Sequence, residues 1–245
     1  MKAIILAAGA GTRLSPLTDG CPKCLVQMGP RRLIDYQLQA LRQVGVEEVV
    51  LVVGYEADQV RAHCGRAARY VENPDFLTTN SIYSLYLAAA ELNDDTFLFN
   101  CDILFHPQIL HRLLACPNAV AVDAQLPRVA GEMNVARDPE GRVRVISKEL
   151  APEHSQARSA QLVKFDGQGA LAVGREVERL VGEEHREVFP TSAYGPLIAQ
   201  GQLYAVEVGD LPWGEIDSLE DYQHVAQFVL PGLPAGSLPS AEDQR

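Results

Sequence analysis

The sequence has little of several things that would each point to a class of protein. No apolar run approaches the ~18 residues that a membrane-spanning helix requires, so no transmembrane helix is expected. Ile4-Ile5-Leu6-Ala7-Ala8 is too short for a secretory leader core and runs into Gly9, Gly11 and Arg13, so it reads as a buried first strand. Cysteine is sparse and odd in number, at Cys21, Cys24, Cys64, Cys101 and Cys116. That scatter does not form a disulfide framework in a chain of this size, and it points to a reducing cytoplasm. Cys21-Pro22-Lys23-Cys24 has CxxC spacing, but no second CxxC or His pair stands at zinc-like spacing. Basic residues are outnumbered, 21 Lys+Arg against 32 Asp+Glu, for a net charge of −11. The balance disfavours a nucleic-acid or anionic-membrane partner, which a basic face would serve. There is one Trp, and no aromatic residue at all between Phe105 and Phe165.

What is present is ordinary globular material. The 245 residues are 47% hydrophobic and 22% charged, enough to build a core without a metal or disulfide staple. The charge is unevenly spread. Residues 1–32 carry five cations (Lys2, Arg13, Lys23, Arg31, Arg32) and one acid, Asp19. Apolar runs predict strands at 2–7, 49–53, 69–72 and 96–100, and helical spacing predicts helices at 33–44, 56–67 and 80–92. Pro107 suits the first turn of a further helix. The alternation argues for an α/β fold: an open, mostly parallel, Rossmann-like sheet with helices on both faces. From 119 the rhythm changes to strands at 119–124, 132–136, 143–147 and 161–165, a smaller antiparallel part. Helices follow at 167–182, 190–200 and 218–229. One domain over 1–230 is expected, with a first half to about 118, a second half from 119 to 230, and a flexible tail from 231 to 245.

In open α/β sheets ligands bind beyond the carboxyl ends of the strands. The loop after the first strand, Gly54-Tyr55 and Cys101-Asp102 all stand at such ends. The loop reads Leu6-Ala7-Ala8-Gly9-Ala10-Gly11-Thr12-Arg13-Leu14. Its glycines permit close backbone approach, and bare amides in such a loop suit phosphate oxygens. Leu14 stands where a dinucleotide fingerprint needs a third glycine, and no Gly-Lys-Ser/Thr closes a Walker loop. The glycines alone are equally a turn without a ligand. Arg13 and Lys23 tilt the reading to a polyphosphate, since Arg can fork across two oxygens.

Leu-Ala-Ala-Gly-x-Gly-Thr-Arg-Leu-x-Pro-Leu-Thr (Leu6 to Thr18), followed by Pro22-Lys23, resembles the signature of the sugar-nucleotidyltransferase superfamily. Asn80-Ser81-Ile82-Tyr83-Ser84-Leu85-Tyr86-Leu87 is similar to a segment of its cytidylyltransferases. Glu132-Met133, Ile146-Ser147-Lys148 and Trp213-Gly214-Glu215-Ile216-Asp217 resemble the phosphonate and inositol-phosphate branch, and the likeness covers about 1–228. It implies that Leu6, Ala8, Gly9, Ala10, Gly11, Thr12, Arg13, Lys23 and Cys101 surround a nucleoside triphosphate. Gly54, Tyr55, Asn80 and Ser81 would read its base. Arg13 would hold the departing pyrophosphate, and Lys23 the reacting α-phosphate. Asp102 and Asp217, with Glu215 assisting, would hold Mg²⁺. Arg128, Glu132, Lys148, Arg158 and Trp213 would face the acceptor.

The chemistry is consistent with that assignment. A phosphate or phosphonate oxygen attacking an α-phosphorus joins two anions, and Mg²⁺ with placed Lys and Arg lowers that barrier. The acceptor oxygen is already ionised, so no general base is needed, and no His-Asp dyad is evident. Other readings stay open at single residues. Asp217 before Ser218 and Glu220 also suits a helix start. Asp102 also suits a turn, Tyr83 and Tyr86 helix packing, and Arg128, His154 and Arg158 a solvated surface.

The expected activity is Mg²⁺-dependent transfer of CMP from CTP to a small phosphonate or phosphomonoester. The aromatic-poor middle speaks against a choline cage. Asn134 and the stretch Ser155 to Ala160 depart from the related enzymes and raise a carboxylated phosphonate such as phosphonoformate as acceptor. Phosphocholine or inositol phosphate, a sugar-1-phosphate thymidylyl- or uridylyltransferase, and a non-catalytic nucleotide-binding regulator are the alternatives. A homo-oligomer is compatible with the sequence.

Overall fold

The computed structural model describes residues 1–234. Its centre is a nine-stranded mixed sheet. Four strands form its parallel part: β1 (Lys2–Ala7), β4 (Glu48–Val53), β5 (Arg69–Glu72) and β6 (Thr96–Asn100), in the order β6-β1-β4-β5. β2 (Gln27–Met28) and β3 (Arg31–Arg32) make a separate small hairpin that closes the long first loop. β1 is buried at every residue, as a central strand covered on both faces must be. Its alternate side chains enter different cores. Ala3, Ile5 and Ala7 pack with Ile34 and Leu38 of helix α1 (Leu33–Gln43) and Val60 of α2 (Ala57–Cys64). Ile4 and Leu6 pack on the other face with Ile82 and Leu85 of α3 (Ser81–Leu87).

β7 (Ile103–Phe105) and α4 (Gln108–Leu113) follow β6, with Pro107 at the helix N-cap. The strands β8 (Ala119–Asp123), β9 (Asn134–Arg137), β10 (Val143–Ser147) and β11 (Ala157–Phe165) come next. They do not form a sheet of their own. β11 pairs antiparallel with β6, β8 and β9 and so welds the second half onto the first. β11 is also four residues longer at its start than the predicted 161–165. The helix predicted at 167–182 is α5 (Gly167–Gly182), capped by the Asp166 carboxylate accepting from the Gly169 N–H at 2.7 Å. The predicted helix at 190–200 is a 3₁₀ turn, Pro190–Tyr194, leading into α6 (Gly195–Ala199).

β12 (Tyr204–Glu207) and β13 (Trp213–Glu215) have no counterpart in the periodicity. β12 joins β8 in parallel, and β13 pairs antiparallel with β7, setting Glu215 opposite Ile103. The chain then enters α7 (Leu219–His224) and a wider turn, Val225–Val229. Leu14, Met28, Leu33, Leu104, Ile216 and Val225 form a third core that rests the first loop on this C-terminal segment. Leu233 packs against it, and residues 235–245 of the expected tail lie outside the described residues.

Gly54, at the end of β4, shows how closely the loops are fitted. A Cβ there would stand 2.7 Å from the Ala8 carbonyl oxygen and 3.0 Å from the Phe76 Cβ. Backbone cannot swing aside as a side-chain tip can. Gly54→Ala is expected to lower stability by about 1–3 kcal/mol, the usual cost of overpacking. A change in the urea midpoint equivalent to less than about 0.5 kcal/mol, typical of a free surface position, would overturn this.

Candidate active site

The carboxyl ends of β1 and β6 open into a cavity of about 420 Å³. Its near wall is the first loop. Leu6, Ala8, Gly9, Gly11, Thr12 and Arg13 line it, and Ala10 does not. Gly11 has φ +62, and a Cβ on it would press on the Lys23 Cβ at 3.3 Å. The N–H groups of Gly9 to Thr12 donate to no backbone carbonyl among the described residues, which leaves them free for a ligand. Leu14, where a dinucleotide site needs glycine, is fully buried and anchors the loop.

Lys23 comes from the 3₁₀ turn Lys23–Leu25 behind Pro22 and is almost wholly buried. Its Nζ donates to Asp102 Oδ2 at 2.8 Å and to Asp217 Oδ1 at 2.5 Å. Arg13 Nη2 reaches the other oxygen of Asp217 at 2.9 Å, with most of its side chain in solvent. Burial works against the Lys23 charge, but the two carboxylates outweigh it and hold the ammonium well above the ordinary lysine value. Burial likewise pushes Asp217 up, and Lys23 and Arg13 outweigh it and hold its carboxyl below the ordinary range.

Asp102, Glu215 and Asp217 each present a carboxylate oxygen within 4.8 Å of the others. The topology explains this meeting across more than a hundred residues. Asp102 fills the gap between β6 and β7, its carbonyl accepts from the Ile216 N–H at 2.9 Å, and β13 runs beside β7. Asp102 Oδ1 is buried without a hydrogen-bond partner, the state of an acceptor awaiting a cation. Glu215 accepts from Gln161 Nε2 at 2.6 Å. Burial first, then repulsion from Asp102 and Asp217, pushes its carboxyl up to about 7. Three oxygen donors in one partly buried cluster fit a hard divalent cation such as Mg²⁺. Ser218 and Asp221 form the capping box of α7, so Asp217 is not itself the cap.

Asn80, Ser81 and Cys101 also line the cavity. Asn80 caps α3, its Oδ1 accepting from the Ser81 N–H at 2.7 Å. Gly54 and Tyr55 lie behind the wall. The Tyr55 N–H donates to the Ala8 carbonyl at 3.0 Å, and its hydroxyl accepts from the Gly20 N–H at 3.1 Å. Of the expected acceptor residues only Lys148 lines the cavity, with its Nζ 5.0 Å from the centre of the Phe189 ring. Arg158 pairs with Glu132 at 2.9 Å, and Arg128 is exposed. Trp213 packs against the core and donates its indole N–H to Asp123 Oδ2 at 2.9 Å.

Sequence reasoning missed Asn73, Phe76, Asn100, Gln161 and Phe189, all of which line the cavity. Asn73 is buried and donates to Ser84 Oγ at 3.0 Å, tying the end of β5 to α3. Gln161 sits in a bulge of β11 with φ +57, a left-handed backbone rare for a residue with a side chain. It bridges Glu215 and the Asn100 amide. No sequence period announces a bulge of this kind.

A family model, the MobA-like NTP transferase domain, matches residues 3–184. Among curated proteins, a CMP-5'-(3-aminopropyl)phosphonate synthase of Streptomyces rubellomurinus is 33% identical over 93% of this chain and 38% of its own length. A choline-phosphate cytidylyltransferase of Streptococcus pneumoniae is 42% identical over 40% of this chain and 46% of its own. The chain thus spans less than half the length of these two relatives. Among solved structures, a CTP:phosphocholine cytidylyltransferase from Streptococcus pneumoniae superposes with a TM-score of 0.75 at 25% identity, covering 92% of this chain and 97% of that one. No helix of the described residues is long and apolar enough to cross a membrane.

The raised Glu215 carboxyl has a stability consequence without divalent cations. A carboxyl raised from its ordinary 4.5 to about 7 favours the folded state below 4.5, and that contribution is lost as pH rises to about 7. Glu215→Gln, which cannot ionise, is expected to match the native protein near pH 4 and exceed it in stability above pH 7. A difference independent of pH, measured by urea denaturation in chelator, would overturn this.

Proposed function

Within the MobA-like NTP transferase domain family, to which this chain belongs, we propose that it transfers CMP from CTP to a small phosphonate or phosphomonoester, releasing pyrophosphate. The observation that carries this reading is the convergence of the glycine loop, Lys23 and the Asp102-Glu215-Asp217 cluster on one cavity. The names of the two curated relatives and of the solved neighbour, all CMP- or CTP-linked, support the nucleotide.

The loop amides and Arg13 take the β- and γ-phosphates, where Arg13 can fork across two oxygens of the departing pyrophosphate. Lys23 lies at the α-phosphorus. Its buried ammonium keeps its charge and would counter the negative charge that accumulates there. Asn80 and Ser81 stand at the α3 end of the cavity, with the base. Lys148 and Gln161 also line the cavity and are the residues that would meet the acceptor. The acceptor oxygen is ionised before it arrives, so the protein's work is to overcome repulsion and align the attack rather than to remove a proton.

Asp102 and Asp217, assisted by Glu215, are the residues that would hold Mg²⁺. Bound there, it would offset the charge of the α-phosphate and of the leaving pyrophosphate. A cytoplasmic location suits a nucleoside triphosphate substrate and five unpaired cysteines.

Pyrophosphate release from CTP over a panel of phosphonates and phosphomonoesters tests the reading. Lys23→Ala and Asp102→Ala are each expected to lower kcat by about 10²–10³. Full activity in both variants would remove the site. CTP binding without turnover on any acceptor would favour a non-catalytic nucleotide binder.

A further inference from the structure

At the acceptor end the cavity continues into a small annex of about 40 Å³. Leu6, Asn100, Gln161 and Phe189 belong to both, so they form its mouth. Beyond them the walls are Leu98, Met133, Ile146, Val163 and Pro190. One buried water needs roughly 10–15 Å³ on this measure, so the annex has room for about three small groups. Among the described residues no Asp, Glu, Lys, Arg or His lines it: its polar residues are Asn100, Ser159, Gln161, Thr191 and Tyr194.

Tyr194 supplies the second observation. It is 2% exposed, lies edge-on to Phe165, lines the annex, and its hydroxyl makes no hydrogen bond among the described residues. A hydroxyl without a protein partner beside a void can donate to a ligand atom. Burial pushes the phenol up, so it remains a neutral donor.

On the CMP-transfer reading above, on which this rests, we infer that the acceptor carries a short uncharged tail with one hydrogen-bonding oxygen, seated in the annex against Tyr194. An ammonium tail would lose its water and find no carboxylate there, and the Lys148 cation beside Phe189 would repel it at the mouth. A carboxylate tail would find no cation inside. A plain alkyl tail would fill the space but leave the tyrosine unsatisfied. This departs from the carboxylated acceptor that the sequence raised. It also departs from the amine in the name of the Streptomyces relative.

The test uses four phosphonates of similar length with CTP and Mg²⁺: 2-hydroxyethyl-, propyl-, 2-aminoethylphosphonate and phosphonoacetate. The expected kcat/KM for pyrophosphate release is highest for the hydroxyethyl compound, by tenfold or more over both charged tails. In Tyr194→Phe the hydroxyethyl-to-propyl ratio is expected to fall about tenfold, the effect of one lost hydrogen bond. The ratio is internal to each protein, so a smaller folded fraction cancels. Equal or better use of either charged tail, or an unchanged ratio in Tyr194→Phe, overturns the inference. Pyrophosphate from none of the four, nor from any phosphomonoester, overturns the transfer reading beneath it instead.

Discussion

One buried lysine organises this site. Lys23 is held between Asp102 and Asp217, carboxylates that reach it from the end of β6 and from the segment after β13. Three charges taken from water are costly, and attraction within the group offsets that cost only when geometry is good and each has a partner. The arrangement therefore fixes three distant stretches of chain relative to one another. Among the described residues Glu215 has no salt-bridge partner, so burial and the neighbouring carboxylates push its carboxyl up, while Lys23 and Arg13 hold that of Asp217 down against the same burial.

The fold serves that meeting. β1, β4 and β6 lie parallel and end together, which brings the glycine loop and Asp102 to one rim. The main sheet alone would leave Glu215 and Asp217 elsewhere. The three-residue ladder between β7 and β13 delivers them, and the third core beneath it seats Leu14 of the loop on the same segment. Loop and acids thus share one foundation, so a ligand that draws on both meets groups already fixed in relation to each other.

The parallel half and the loop that walls the cavity were legible in the sequence for a physical reason. A strand buried on both faces must be continuously apolar, and Ile4-Ile5-Leu6 and Val49 to Val53 are. The loop carried its own chemistry in Gly9, Gly11, Arg13 and Lys23. The rest of the cavity was not legible. β7 and β13 are three residues each, too short for a period, and β12 is only four. Arg158 and Trp213 have the residue types of a binding wall, yet Glu132 and Asp123 claim them. Gln161 reaches the cavity through a bulge and a left-handed backbone, which pattern does not encode. Phe189, which lines the cavity, comes from beyond the aromatic-poor middle that spoke against a choline cage.

Net charge is a poor guide to such a pocket, and the lining shows why. Arg13, Lys23 and Lys148 line it together with Asp102, Glu215 and Asp217, three cations and three carboxylates, in a chain whose total is −11. Two of those cations are already paired with the acids. A triphosphate arriving alone would compete with Asp102 and Asp217 for Lys23 and Arg13 and leave the carboxylates exposed to its own charge. On the proposed reading, a divalent cation entering with the nucleotide would partner those carboxylates and free Lys23 and Arg13 for the phosphates. The acidic cluster would then make an anionic substrate acceptable by coupling the cation's entry to the nucleotide's.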